Sequence, residues 1–500
     1  MPHPDLLEQA FARAAGAPLV GGNRVRVLKD ASENYPAWLE ALQAAERTIF
    51  LDNYMFYEDE VGLEFQRVLA AKARDGVRVR VIYDWLGSLW RASAKYWRAL
   101  RAAGAEVRCF NPPRVMAPFG TLHRDHRKML AVDGRIGFVM GLCIGRRWTG
   151  DASRGIAPWR DTGIEVRGPA LYDIEQAFAQ AWGAIGPPLA AEEQVEREDI
   201  AAAGTVAVRI VASAPGVAAV LRVDQLLATA ARRTLWLTDA YFAGIPPYIQ
   251  ALHSAARDGV DVRLLVPGAS DIPVLRPLSE AGYRPLLDAG VRVFEWKGSM
   301  LHAKTAVADG RWARVGSSNL NVASWIGNFE LDAVVEDEAV AAAMEQMYLA
   351  DLEGSTEIVL QRKRRFPAMP YRRRQRVRSG RGGERGARAG EQRGSASRAA
   401  AGALRIGRTV GAALSEQRVL APTEARMVAA VAVVLAALAV VIVRWPLAAA
   451  VPLAVVLLWA CLGLLAKARL LRRERRERGL PKTELARTSG PAAARHESEP

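Results

Sequence analysis

Cysteine is scarce in this sequence, because its 500 residues include only Cys109, Cys143 and Cys461. The three thiols lie far apart along the chain and form no paired spacing. This pattern indicates neither a disulfide framework nor a cysteine-based zinc site.

The N-terminus lacks the basic stretch followed by an apolar run that is typical of a signal peptide. We therefore expect the bulk of the chain to begin in the cytoplasm. Residues 1–40 are rich in alanine and polar side chains, and we interpret them as an N-terminal connector.

Most of the chain also lacks an excess of positive charge, although the formal net charge is +15. Residues 361–394 carry 13 Lys or Arg against 2 Glu, residues 467–478 carry 7 against 2, and all other residues together carry a net charge of −1. This distribution argues against a broad basic groove for nucleic acid. It favours basic segments that lie beside an anionic membrane.

What the sequence does contain is a short pattern, His-x-Lys-x-x-x-x-Asp, that occurs twice. The first copy is His126, Lys128 and Asp133, and the second is His302, Lys304 and Asp309. Residues two apart on a strand point to the same face, so each His and Lys should project together. An imidazole beside an ammonium is unfavourable unless an anion lies between them, and a phosphate would satisfy both.

The residues after the second copy suggest further phosphate contacts. Gly310-Arg311 predicts a turn, and the strand that follows carries Ser317 and Asn319 as neutral donors. A single match could be chance on a β-hairpin, but two copies in equivalent contexts make that reading improbable.

The surroundings of the two motifs are also duplicated. Strand, helix and strand are predicted over 48–84 and again over 235–266, and the junction Ala73-Arg74-Asp75-Gly76-Val77 returns as Ala256-Arg257-Asp258-Gly259-Val260. Two α/β halves of mixed sheet with helices outside should pack side by side, so that the motifs meet on a pseudo-two-fold axis. Tyr54 and Tyr241 follow matching strands, and core packing explains them as well as a role in the site does.

These residues resemble the paired motifs of the phospholipase D superfamily, and their context is similar to its bacterial cardiolipin synthase branch. The context is Trp159-Arg160-Asp161-Thr162 after the first motif, and Gly316-Ser317-Ser318-Asn319 with Asn328-Phe329-Glu330 after the second. The resemblance covers roughly residues 40–355. One departure is Met140-Gly141-Leu142-Cys143, which stands where the family usually has Gly-Gly-x-Asn.

The resemblance implies a mechanism without metal or cofactor. One histidine attacks phosphorus, the lysines hold the phosphate, and the other histidine protonates the leaving alcohol. By analogy His126 is the nucleophile and His302 the general acid, with Asp161 and Glu330 as the acids that orient them, although the sequence does not say which acid serves which histidine. A phosphohistidine that reacts with an alcohol gives a transferase, which makes cardiolipin from phosphatidylglycerol, and one that reacts with water gives a phospholipase D or a nuclease.

The C-terminal region has a different composition. Residues 427–443 and 447–466 are apolar runs that together predict a transmembrane hairpin, although a buried helical pair is the alternative. Basic residues flank both outer ends, which predicts that the catalytic region lies on the cytoplasmic side of the inner membrane.

These features predict six segments. They are a connector (1–40), a first phospholipase D-like half (41–190), a second half (200–358), a basic linker (359–426), the hairpin (427–466) and a basic tail (467–500). We expect phospholipids and an anionic membrane surface as partners, and no nucleic acid. The alternative is a membrane-tethered nucleic-acid binder that uses the Arg/Gly-rich linker as its RNA-binding element.

Overall fold

The computed structural model describes residues 4–113, 123–272 and 275–359, together with Arg444. Apart from residue 359 and Arg444, the predicted linker, hairpin and tail lie outside these residues. Within the described part of the chain, no helix combines the length and the apolar character needed to cross a membrane.

The described residues form one sheet of 15 strands with helices on both faces. After α1 (Pro4–Ala15), the first part contains β1 (Val20–Lys29), α2 (Asp30–Ala44), β2 (Thr48–Asn53), α3 (Glu60–Arg74), β3 (Arg78–Asp84), α4 (Trp85–Ser88), α5 (Ala94–Ala102), β4 (Glu106–Phe110), β5 (Lys128–Val132), β6 (Ile136–Met140), α6 (Arg146–Thr149), β7 (Thr162–Arg167) and α7 (Leu171–Ala184). The second part contains β8 (Val206–Ser213), α8 (Ala219–Ala230), β9 (Thr234–Thr238), α9 (Pro246–Arg257), β10 (Asp261–Pro267), α10 (Leu275–Ala289), β11 (Arg292–Trp296), β12 (Thr305–Ala308), β13 (Trp312–Gly316), β14 (Glu330–Glu336), α11 (Glu338–Glu353) and β15 (Ser355–Ile358).

The strand order repeats outward from the centre of the sheet. On one side of the β1–β8 pair the order is β7, β6, β5, β2, β3, β4, and on the other it is β14, β13, β12, β9, β10, β11, β15. In each half three strands are parallel to one another (β2, β3, β4 and β9, β10, β11), and the remaining pairs are antiparallel. The predicted mixed α/β fold is therefore confirmed.

The strand β1 was assigned to an N-terminal connector on sequence grounds, and the structure corrects that interpretation. β1 pairs with β7 on one side and with β8 on the other, so it lies at the centre of the sheet. The sequence does not predict this strand, because Gly21-Gly22-Asn23 interrupts the alternation of apolar residues. Asn23 is buried, and its side-chain amide donates to the carbonyl of Val206.

The repeated Arg-Asp-Gly-Val junction ends a helix at the same place in both halves. Gly76 ends α3 with φ +90°, and Gly259 ends α9 with φ +94°. Glycine reaches this left-handed region without the penalty that other residues incur, so it ends a helix and turns the chain into the next parallel strand. The motif strands β5 and β12 then lie next to β2 and β9, in matching places.

Candidate active site

The two histidines lie just before β5 and β12, and the backbone N–H of each donates to a carbonyl of the other half. The N–H of His126 donates to the carbonyl of Phe329 at 2.9 Å, and the N–H of His302 donates to the carbonyl of Arg160 at 2.7 Å. These contacts join the segment after one motif to the start of the other motif. The two halves therefore meet at the histidines.

Each imidazole contacts a carboxylate from the opposite half. His126 Nδ1 lies 3.0 and 3.1 Å from the two oxygens of Glu330, and His302 Nδ1 lies 2.7 Å from Asp161 Oδ2. Since an ionised carboxylate only accepts, each Nδ1 carries the proton and each Nε2 stays available. The structure thus pairs the acids, which the sequence left unassigned, in a crossed arrangement.

Burial sets the protonation of both imidazoles. Burial first, and then the charge of Lys304, lower the pKa of His302 to about 4 against the opposite effect of Asp161. Burial also lowers the pKa of His126 against the opposite effect of Glu330. Burial alone would raise the pKa of Asp161 and Glu330, but the facing histidine and lysine side chains hold both carboxyl pKa values below their usual range. These directions favour ionised carboxylates and neutral imidazoles near neutral pH.

The two lysines are buried beside the histidines. Lys128 Nζ donates to the carbonyl of His126 at 2.6 Å, and Lys304 Nζ donates to the carbonyl of His302 and lies 3.0 Å from its Nδ1. Lys304 also lowers the pKa of His126, and Lys128 that of His302, so the charges of both motifs act on one site. A cluster with two buried ammonium groups and two neutral imidazoles suits an anion such as a phosphodiester.

Aromatic rings surround the histidines. Tyr54 packs edge-on against His126 at 4.8 Å between ring centroids, and Tyr241 lies edge-on to His302 at 5.9 Å. Sequence reasoning left these tyrosines undecided, and their place directly after equivalent strands was the available signal. It missed the role of Trp148 and Trp159, whose rings lie 5.5 and 5.6 Å from His302, because neither tryptophan belongs to a repeated motif or a periodic pattern.

The predicted neutral donors differ in what they contact. Ser317 donates its hydroxyl proton to Glu330 Oε2 at 2.5 Å, so in this structure it orients the carboxylate. Asn319 is 5% exposed, and within the described residues its side-chain oxygen has no hydrogen-bond partner. That oxygen is an acceptor, so a phosphate contact by Asn319 needs its amide N–H group to face the ligand, and one by Ser317 needs the hydroxyl to turn away from Glu330.

The equivalent position in the first half is Cys143. Met129 pairs with Val139, and Thr305 pairs with Val315, so the two hairpins share one register and Cys143 matches Asn319. Cys143 is fully buried, and burial raises the pKa of its thiol even though Lys128 favours the thiolate. The first half therefore presents a neutral thiol where the second presents an amide.

Asp133 and Asp309 were predicted to belong to the catalytic set, but the structure does not bring them to the histidines. They lie at the far ends of β5 and β12, with φ +57° and +55°. The carboxylate of Asp133 accepts backbone N–H groups of residues 46, 47 and 48 at 2.7–2.8 Å, and that of Asp309 accepts those of residues 232, 233 and 234 at 2.8–2.9 Å. These contacts fix each hairpin turn to the start of the neighbouring strand.

Within the described ranges, no group of three or more His, Cys, Asp or Glu side chains is arranged to hold a metal ion. The buried ammonium groups beside the two histidines are those of Lys128 and Lys304.

Comparison with known proteins gives a consistent result. Residues 38–147 and 225–352 match the family described as cardiolipin synthase, PLD-like domain. The chain is 33% identical over 363 residues to a cardiolipin synthase of Alkalihalophilus pseudofirmus, and the alignment covers 71% of each chain. It is 33% identical over 364 residues to cardiolipin synthase A of Pseudomonas aeruginosa, which covers 71% of this chain and 72% of that protein. Among solved structures, phosphatidylserine synthase of Haemophilus influenzae has the same fold, with a TM-score of 0.54 at 15% identity over 70% of this chain and 92% of that one.

Proposed function

Since the chain belongs to the cardiolipin synthase family of the phospholipase D superfamily, we propose that it transfers a phosphatidyl group between two phospholipids and makes cardiolipin from phosphatidylglycerol with release of glycerol. The observation that carries this proposal is the crossed pairing of His126 with Glu330 and of His302 with Asp161. Because each Nδ1 is bound to a carboxylate, both Nε2 atoms are available for chemistry at one phosphorus.

In the first step, His126 Nε2 attacks the phosphorus of the donor lipid while the bond from phosphorus to the head-group glycerol oxygen breaks. His302 gives its proton to that oxygen, and glycerol leaves. The assignment of these two roles follows the family resemblance. The negative charge of the phosphodiester raises the pKa of the imidazoles, which favours the protonated form of His302 that burial disfavours.

In the second step, a hydroxyl of the acceptor head group gives its proton to His302 and attacks the phosphorus. The bond from phosphorus to nitrogen breaks, which restores neutral His126 and forms the new phosphodiester. Lys128 and Lys304 hold the non-bridging oxygens through both steps, and Asn319 adds an amide donor. Asp161 and Glu330 stabilise whichever imidazole is positively charged.

We further propose that this chemistry takes place on the cytoplasmic face of an anionic membrane. The support is the sequence of the C-terminal region, in which two apolar runs are flanked by the basic segments 361–394 and 467–478. Phosphatidylglycerol, an anionic lipid, would be enriched at such a surface.

The decisive experiment is lipid analysis of bacterial cells that lack other cardiolipin-forming enzymes and express the full chain. We expect cardiolipin with the wild type, and a loss of about 1000-fold or more with His126→Ala or His302→Ala, because each histidine serves both steps. His253→Ala, on helix α9, is the matched control and should retain activity. Accumulation of phosphatidic acid in place of cardiolipin would mean that water is the acceptor. Unchanged lipids together with cleavage or retention of DNA or RNA would replace the proposal by a nucleic-acid function.

A further inference from the structure

The two carboxylates that orient the histidines are each held by a second buried donor. Ser317 Oγ donates to Glu330 Oε2 at 2.5 Å, and the indole Nε1 of Trp148 donates to Asp161 Oδ2 at 2.9 Å. In both cases the donor reaches an oxygen that also contacts the histidine. In both halves a second donor therefore orients the carboxylate, but the donor is a serine hydroxyl in one half and a tryptophan indole in the other.

The hairpin register explains why the first half cannot use a serine. Gly141 occupies the position equivalent to Ser317, one residue after β6 as Ser317 is one residue after β13. A Cβ at Gly141 would lie 2.2 Å from Asp161 Oδ1, so any side chain there would displace the carboxylate. The donor to Asp161 must come from elsewhere in the fold.

Trp148 is placed to supply it. Its side chain is fully buried, and its ring stands at 87° to the ring of His302 with 5.5 Å between centroids. A buried indole N–H without a partner is costly, so this hydrogen bond fixes the tryptophan and the carboxylate together. The backbone N–H of Thr162 donates to the other oxygen of Asp161 at 2.9 Å, which leaves the carboxylate little freedom to rotate.

We propose that Trp148 is a positioning residue for the Asp161–His302 pair. Its indole N–H orients the carboxylate of Asp161, as the Ser317 hydroxyl orients that of Glu330. The proposal rests on the proposed function, since it assigns a role in the same reaction. Trp148 acts through Asp161 and need not touch the substrate.

The test compares Trp148→Phe with Trp38→Phe in the full chain. Trp38 is also fully buried, and its indole N–H donates to none of the described residues, so Trp38→Phe is a control that removes a buried N–H group without a described acceptor. We expect kcat for cardiolipin formation to fall about tenfold or more in Trp148→Phe with KM unchanged, because a hydrogen bond to a charged group is lost but the ring remains. Trp38→Phe should keep wild-type kcat, and Ser317→Ala should show a loss similar to that of Trp148→Phe.

A spectroscopic measurement keeps the proposal testable if Trp148→Phe does not fold. In wild-type protein labelled at the indole nitrogens, the Nε1 proton of Trp148 should resonate at lower field than that of Trp38. It should move toward the position of Trp38 in Asp161→Asn and should not move in Glu330→Gln. This measurement needs no turnover, so a wild-type enzyme that forms no cardiolipin would overturn the proposed function without deciding this one.

The inference is overturned by any of three results. These are a kcat of Trp148→Phe within twofold of the wild type, an equal loss of kcat in Trp38→Phe, or a Trp148 resonance that does not respond to Asp161→Asn.

Discussion

At the scale of single residues, the site depends on charges that are buried and balanced. Lys128 and Lys304 are almost completely inaccessible, and their positive charges are offset by Asp161 and Glu330 across the junction of the halves. A buried ammonium is costly unless it is paired, and these two carboxylates supply that pairing.

One prediction concerns pH. Burial lowers the pKa of Lys304 from 10.5 to about 8, so its positive charge is present below that pH and is lost above it. We expect kcat/KM, which reports the free enzyme, to fall as pH rises through about 8. Activity that remains in Lys304→Arg should show no such decline, because guanidinium stays protonated, whereas Lys128→Arg should retain it. A decline that persists unchanged in Lys304→Arg would assign the titration to another group.

At the scale of elements, the last residue of each motif holds a hairpin in place. Asp133 and Asp309 both adopt a left-handed backbone conformation at a turn and accept three backbone N–H groups each. This arrangement fixes β5 against β2 and β12 against β9, and so determines the direction in which the histidines at the opposite ends of these strands point. Such a role explains the fixed spacing of the motif without a part in the chemistry.

Asp133→Asn tests this interpretation. Asparagine tolerates the positive φ but loses the acceptor for the N–H of Glu46, which lies 2.8 Å from Asp133 Oδ2. We expect the free energy of unfolding to fall by about 1–3 kcal/mol, with kcat of the folded protein unchanged. Denaturant unfolding and turnover at a temperature where both proteins are folded are the measurements. A large loss of kcat with unchanged stability would instead return Asp133 to the catalytic set.

At the scale of the whole molecule, the described fold ends with an edge strand. β15 pairs with β11, and Ile358 is the partner of Val293. A chain ended at residue 357 would therefore lose part of this pairing, whereas one ended at residue 359 keeps it. The histidines and lysines proposed for catalysis lie within this part of the chain.

We predict that a chain ended at residue 359 no longer binds to vesicles that contain anionic lipid. It should still hydrolyse or transfer a soluble phosphodiester. Each Arg near the surface should contribute about 1 kcal/mol to attachment, within a screening length of about 8 Å at physiological salt. Co-sedimentation with vesicles, with and without added salt, measures this. Binding equal to that of the full chain would show that residues 360–500 are not needed for attachment.

The family, the duplication and the mixed α/β class were predictable from the sequence, because these depend on periodicity and on short motifs whose residues are close along the chain. His126 with Lys128 and His302 with Lys304 are two residues apart in the extended segments that lead into β5 and β12, so their proximity follows from the chain itself. The pairing of Glu330 with His126 and of Asp161 with His302 was not predictable, since each pair joins residues more than 140 positions apart. The same holds for β1 at the centre of the sheet and for Trp148 beside Asp161. Long-range contacts of this kind depend on how two halves pack, and no local pattern of side chains encodes that packing.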